Sequence, residues 1–324
     1  MRINKQWAAS LLCACMALVG CDRSEPQSSG EPDAHAMRIV TLAPALTKMV
    51  IDLGLTDAIV GVGEHDACAP QGAAVVGNFM NVNTERLYEL RPTHVLMMTG
   101  QHGVPESLAA MAQSAGFDLV AYAYPNGIED VGAVLFDEAE LLREDSGVRD
   151  PDRRSVGAAL DMKMQAQRLK LHMFMQLAAI GRVTGSVAKP SVLLVIGVEP
   201  NVRASAPAQT GTVLDDLLGF AGGLNAAAQS QVSAPVYDRE KLMGLAPEVI
   251  LLLLPNDPPL TENDSRLAAF AGLDIPAVRD GRIALINDPM VLLPATNLPQ
   301  AAATLAKAIH PDLAARIDAA MDAP

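Results

Sequence analysis

Asn83-Thr84-Glu85-Arg86-Leu87, followed by Leu90, Pro92, Val95 and Leu96, returns as Asp238-Arg239-Glu240-Lys241-Leu242, followed by Leu245, Pro247, Ile250 and Leu251, at a constant offset of 155 residues from position 83 to position 238. In each copy a side-chain amide or carboxylate stands where a helix needs a cap, and a Glu sits in the first turn. Pro then ends the helix ahead of an apolar run of the kind found in buried strands. Two copies predict two similar α/β lobes, and a cleft between lobes is a common place for a small molecule to bind.

Outward from the first copy, the chain alternates short apolar runs with helical segments. Strands are expected at Arg38 to Leu42, Ile59 to Val62, Ala73 to Val76, Val95 to Met98 and Leu119 to Tyr122, with helices after Ala43-Pro44, at Thr84 to Leu90 and at Pro105 to Ala115. That alternation belongs to mostly parallel sheets covered on both faces. Around the second copy, strands are expected at Ser191 to Ile196, Val249 to Leu254 and Ile283 to Ile286, and helices at Thr212 to Phe220, Lys241 to Leu245 and Leu298 to Ile309. Between the two sets, Ser155 to Ile180 holds no Pro and carries Leu160, Met164, Leu169, Leu171, Met175 and Leu177 at roughly helical spacing. One helix of about 40 Å is expected there, a spine reaching both lobes. The fold class is therefore α/β: two three-layer lobes with mostly parallel sheets (37–150 and 187–324), joined by one long helix within 151–186.

The N-terminal segment stands apart. Arg2 and Lys5 precede an apolar stretch from Trp7 to Val19, short for a membrane span, and Leu18-Val19-Gly20-Cys21 has the form of a bacterial lipobox. This implies a signal over 1–21, with cleavage before Cys21 and lipidation of its thiol. Asp22 in the next position is associated in enteric bacteria with retention at the inner membrane. Residues 22–36, rich in Ser, Glu, Pro and Gly, read as a disordered tether. Cys13 and Cys15 leave with the signal, so Cys68 is the remaining thiol and is expected to be buried as a small hydrophobe.

Half of the residues are apolar, enough for two cores. The formal charge of −13 argues against nucleic acid or anionic lipid as a binding partner. No G-x-S-x-G elbow, P-loop lysine or G-x-G-x-x-G run is present, so the chain is not expected to be an enzyme.

With its lipobox, tether, paired motifs and spine, the chain resembles the solute-binding lipoproteins of ABC importers for cobalamin and ferric siderophores. The stretches that carry the resemblance are Arg38-Ile39-Val40-Thr41-Leu42-Ala43-Pro44, Gly61-Val62, Asn83 to Val95 and Asp238 to Ile250. The resemblance implies a monomer on the periplasmic side of the inner membrane, with no cofactor of its own. A metal chelate is held between lobes that move little on closure, and one glutamate per lobe, Glu85 and Glu240 here, docks onto arginines of a permease that works with an ATPase. In relatives that bind cobalamin, the position six residues before each glutamate is a cleft-lining Trp. Here those positions are Phe79 and Ala234, and the only Trp of the chain, Trp7, lies in the signal. Less aromatic wall puts cobalamin bound in the familiar way in question and leaves a different corrinoid, a bulkier iron chelate or a haem open.

The remaining ligand-binding candidates follow from where the loops fall. His65, in Glu64-His65-Asp66-Ala67-Cys68, stands where the cobalamin binder has a cleft-facing Tyr. It could ligate the metal of a bound chelate, with Asp66 or Glu64 orienting the ring. A polar rim loop without metal is the plainer reading. Pro44, His102, Tyr122, Tyr124, Tyr237 and Asp288 are placed at the cleft, with Arg203 in the loop after the second lobe's first strand, suited to an anionic group. Capture of a bare divalent cation would need converging His and carboxylate ligands, and a sensor that signals instead of transporting remains the other alternative.

Overall fold

The computed structural model describes residues 36–78, 81–100, 103–138, 154–199, 203–205, 210–230, 235–261 and 264–322. Residues 1–35, which hold the expected signal and all but the last residue of the expected tether, lie outside the described residues, as do Phe79, His102 and Ala234.

In the first lobe the order is β1 (Ile39–Thr41), α1 (Pro44–Asp52), β2 (Ile59–Val62), β3 (Ala74–Val75), β4 (Gly77–Asn78), β5 (Asn81–Val82), α2 (Thr84–Leu90), β6 (His94–Thr99), α3 (Glu106–Ala115), β7 (Asp118–Ala123) and α4 (Ile128–Leu135). Five of these strands form a parallel sheet in the order β3-β2-β1-β6-β7, and β4 with β5 makes a separate antiparallel hairpin that leads into α2. Gly77 is required at the start of that hairpin. Its φ is 96°, and a Cβ there would lie 2.2 Å from the carbonyl oxygen of Asn81.

The second lobe holds β8 (Ser191–Val195), β9 (Gly197–Glu199), β10 (Arg203–Ser205), α7 (Val213–Phe220), β11 (Leu224–Asn225), β12 (Val236–Tyr237), α8 (Arg239–Leu245), β13 (Val249–Leu253), α9 (Pro276–Arg279), β14 (Ile283–Ile286), α10 (Leu298–Ile309) and α11 (Ala314–Met321), after α5 (Val156–Ala159) and α6 (Lys163–Thr184) between the lobes. Its main sheet is parallel, in the order β11-β8-β13-β14. A small antiparallel sheet, β12-β10-β9, sits beside it and was not expected from the sequence.

The strands are buried on both faces, and their alternation divides the core. In the first sheet Val95 and Met97 pack outward with Leu87 and Leu108, while Leu96, Met98 and Val120 face the other way. In the second, Leu193, Val195, Ile250 and Leu252 join Leu242 and Phe270, while Val192, Leu194 and Leu251 face the other way. The inward faces of both sheets share a single apolar cluster, running from Leu46 and Met49 through Leu160, Met173, Leu177 and Ile180 to Leu217 and Leu305. The two lobes are therefore joined by core and not only by chain. Among the described residues no helix is long and apolar enough to cross a membrane.

The spine differs from its expectation in two ways. It is broken at Asp161, whose φ of 55° is left-handed, and Met162 N–H returns to the carbonyl of Gly157 at 2.7 Å. Gly157 permits the fold-back, since a Cβ there would come within 2.4 Å of the Ala166 methyl. The long helix is thus α6 alone, 22 residues, or about 33 Å. The second difference is in what it buries. Ala166, Met173, Leu177 and Ile180 face the shared core, while Met164, Leu171 and Met175, part of the expected helical pattern, lie on the opposite arc and are exposed.

Candidate functional site

The repeated motif folds the same way twice. Asn83 Oδ1 accepts from Arg86 N–H at 2.9 Å to cap α2, and Asp238 Oδ1 accepts from Lys241 N–H at 2.9 Å to cap α8. Each helix buries one leucine, Leu87 or Leu242, and ends on a left-handed non-glycine residue, Arg91 with φ 44° or Ala246 with φ 43°, ahead of Pro92 or Pro247. Glu85 and Glu240, in the two first turns, are exposed, and neither makes a hydrogen bond or ion pair with a described residue.

The carboxyl ends of the two parallel sheets converge. The loop after β2 reaches the segment after β14, where Cys68 Sγ lies 3.9 Å from Met290 Sδ. Two further contacts cross between the lobes: Ile128 N–H at the start of α4 donates to Asp216 Oδ2 at 2.9 Å, and the Thr296 hydroxyl donates to Asp52, which also accepts from Lys48 at 2.5 Å. These cross-lobe carboxylates carried no signal in the sequence. Helix α4 also went unread, although Gly127 before it, Glu129 and Asp130 in its first turn and Ile128, Val131 and Leu135 on one face are start and period signals.

The loop that carries His65 is held from below. Asp66 Oδ2 accepts from the Thr47 hydroxyl at 2.5 Å, Thr47 is 2.6 Å from the hydroxyl of Thr41, and Asp66 Oδ1 accepts from Cys68 N–H at 2.8 Å. Glu64 Oε2 accepts from Asn78 Nδ2 at 3.0 Å. Both acids expected to orient His65 are therefore engaged elsewhere, because the loop needs them to satisfy its own donors. His65 itself is left-handed, with φ 57°, and exposed.

Other candidates are rearranged by strand alternation. Tyr122 falls on the inward face of β7 and is 6% exposed within the shared core, with part of its surface lining the depression beside Tyr124. Tyr124, beyond the strand, is exposed and lines a depression of about 480 Å3 with Asn126, Asp130, Val134, Asp137 and Arg154, bounded by first-lobe residues and the approach to α5. Tyr237 is 8% exposed on β12, packed in the outer cluster of the second lobe. Arg203 begins β10, paired with Glu199 of β9, instead of standing in a loop. Asp288 is exposed and caps the turn Pro289–Leu292 by accepting from Met290 N–H at 2.8 Å. Pro44, at the first turn of α1, is half-buried at the carboxyl end of β1.

Arg266 gathers the segment after β13. It donates to Asp257 Oδ2 at 3.1 Å, to the carbonyls of Pro258 and Pro259 at 2.8 and 3.3 Å, and to Asp264 Oδ1 at 2.7 Å. Arg266 holds the Asp264 carboxyl well below the usual range. Among the described residues no three His, Cys, Asp or Glu side chains converge as a metal site, so they supply no ligand set for a bare cation.

Cys68 is half-buried, and its thiol is pushed from 9.0 up to about 11, first by burial and then by the Asp66 carboxylate. The thiolate is the reactive form. At pH 8 iodoacetamide is therefore expected to alkylate Cys68 about 100-fold more slowly in the folded protein than in urea, which rate measurements in both states would read. Because the folded thiol holds its proton longer than the unfolded one, the same shift makes stability fall as pH rises from 9.0 to about 11.

A family model described as periplasmic binding protein matches residues 39–290. A curated vitamin B12-binding protein of Photorhabdus laumondii subsp. laumondii is 25% identical over 222 residues, covering 68% of this chain and 71% of the relative. Among solved structures, the apo periplasmic heme-binding protein RhuT from Roseiflexus sp. RS-1 superposes with a TM-score of 0.62 at 23% identity, covering 88% of this chain and 99% of that one. The periplasmic vitamin B12 binding protein BtuF of Vibrio cholerae gives 0.59 at 19% identity, covering 89% and 99%. The structural likenesses establish the shared two-lobed fold.

Proposed function

The chain belongs to the periplasmic binding protein family, and from that premise we propose that it is the membrane-anchored solute-binding component of an ABC importer. It captures a metal chelate, a corrinoid or an iron complex, between its lobes and delivers it to the permease. The observation that carries this reading is the pair Glu85 and Glu240. An exposed Glu in one helix's first turn is only what the macrodipole favours. Two at equivalent positions of two lobes, both without a partner among the described residues, form a matched pair of negative points that a permease with two-fold related halves can grip. Cys21 carries the lipid in this reading, and residues 22–36 form the leash.

For the ligand, relatives are named for both vitamin B12 and heme. In this reading Phe79 and Ala234, at the positions of the two cleft tryptophans, and His102 are assigned to the ligand from sequence alone, together with Pro44, Tyr124, Arg203 and Asp288. His65 is the residue that would favour haem, since it is exposed and makes no hydrogen bond with a described residue. The compact unit begins at Met37, so a protein starting there retains the whole site. Spectral and calorimetric titration of it with cyanocobalamin, a precursor corrinoid, haemin and a ferric siderophore tests the reading. A tight one-to-one complex with one of these is expected. Haemin binding with a shifted Soret band that is lost in His65→Ala would assign the ligand as haem, and silence toward all four would overturn chelate capture.

A further inference from the structure

The two docking helices share a second outward feature. At the 155-residue offset, Tyr88 on α2 corresponds to Met243 on α8, and both are large apolar side chains held in solvent, 67% and 47% exposed. Each stands three residues beyond its glutamate, so on each helix the carboxylate and the apolar group are surface neighbours. A single exposed hydrophobe is ordinary. Among the other exposed positions, Arg86 and Lys241 keep a positive charge, while Glu89 against Gly244 and Arg91 against Ala246 have diverged. The Glu pair, the basic pair beside it and the large apolar pair keep their character. Neither Tyr88 nor Met243 belongs to a core cluster, while the leucine just before each, Leu87 or Leu242, is fully buried and fixes which way the next side chain points. The caps at Asn83 and Asp238 fix the helices as well.

We propose that Tyr88 and Met243 are paired apolar anchors which, beside Glu85 and Glu240, complete the surface that grips the permease. The partner is an integral membrane subunit pair that offers, on each of two related halves, a cation for the glutamate and an apolar depression for its neighbour. This rests on the docking reading of Glu85 and Glu240. The two exposed glutamates call for a partner that offers cations at two matching points. The difference between a tyrosine and a methionine makes the two half-sites unequal. Tyrosine, rigid and amphipathic, is expected to carry the larger share.

The test uses the full chain in its native host, with a photo-crosslinking phenylalanine analogue placed in turn at positions 85, 88, 240 and 243, and at 171 on the exposed face of α6 as a control. Adducts from 88 and 243 are expected with the same polytopic importer subunit that 85 and 240 capture, identified by mass spectrometry, and none from 171. Combining Tyr88→Ala with Met243→Ala should lower the yield from 85 and 240 by about tenfold, with Tyr88→Phe retaining most of it. Adducts at 85 and 240 that persist undiminished in the double alanine variant would remove the anchors and leave docking intact. No adduct at 85 or 240 would remove the docking reading itself, and an adduct with a second copy of this chain would reassign the surface to self-association.

Discussion

Charge reversal at both glutamates proposed to dock, Glu85→Arg with Glu240→Arg, is expected to abolish uptake of the ligand while leaving its affinity for the isolated protein unchanged. Both carboxylates are exposed and have no partner among the described residues, so no contact within that part of the protein is lost when they are replaced. An arginine in the first turn opposes the helix dipole by about 0.3–1 kcal/mol at each site, which two well-capped helices packed on a large core tolerate. At a permease surface the consequence is far larger. Coupling between close charge pairs across an interface is worth about 1.5–7 kcal/mol, and reversal replaces two attractions with two repulsions, a loss on the order of a thousandfold or more in docking affinity. Uptake measured in a deletion strain carrying the variant, beside a titration of the purified variant with the same ligand, separates the two effects. Weakened ligand binding in the variant would place the glutamates in the cleft and end the docking assignment.

The second large effect is on stability. Leu177→Ala is expected to cost about 2–5 kcal/mol, because Leu177 is 0% exposed on α6, where the long helix meets the apolar faces of both lobes. For a chain of this size that lowers the unfolding midpoint by on the order of 10 °C. The form of the transition is the sharper part of the prediction. One apolar cluster runs through both lobes, so wild type and variant should each unfold in one cooperative step, followed by calorimetry and far-UV circular dichroism together. Two resolved transitions, with only one displaced by the substitution, would mean that the lobes have independent cores. A shared core also limits how far the lobes can rotate apart, since opening them widely would break the packing of Leu177 and its neighbours.

Much of this architecture is legible in local sequence. The ends of α2, β14 and α10 fall on the expected residues, and α3 ends on a left-handed Gly116, because caps, prolines and glycines act within a turn of where they stand. The site is read less completely. His65 was correctly placed on a loop, but its expected orienting carboxylates are used by Thr47, Cys68 and Asn78, contacts made across 2 to 19 positions of chain that no motif spacing records. Tyr122 and Tyr124 look equivalent in sequence and are separated by the end of β7, which leaves one in the core and the other in solvent.

The sequence by itself determined that there are two lobes, which segments are strands and helices, and where the matched glutamates lie, since propensity, period and capping are local and the repeat can be counted. The tertiary structure alone decided which face of each strand and helix meets the shared core, where the spine breaks, and which side chains cross between lobes. Those outcomes depend on what packs against each surface. Gly157 against Ala166, Asp216 beneath Ile128 and Cys68 beside Met290 become neighbours only after both sheets have formed and closed on α6.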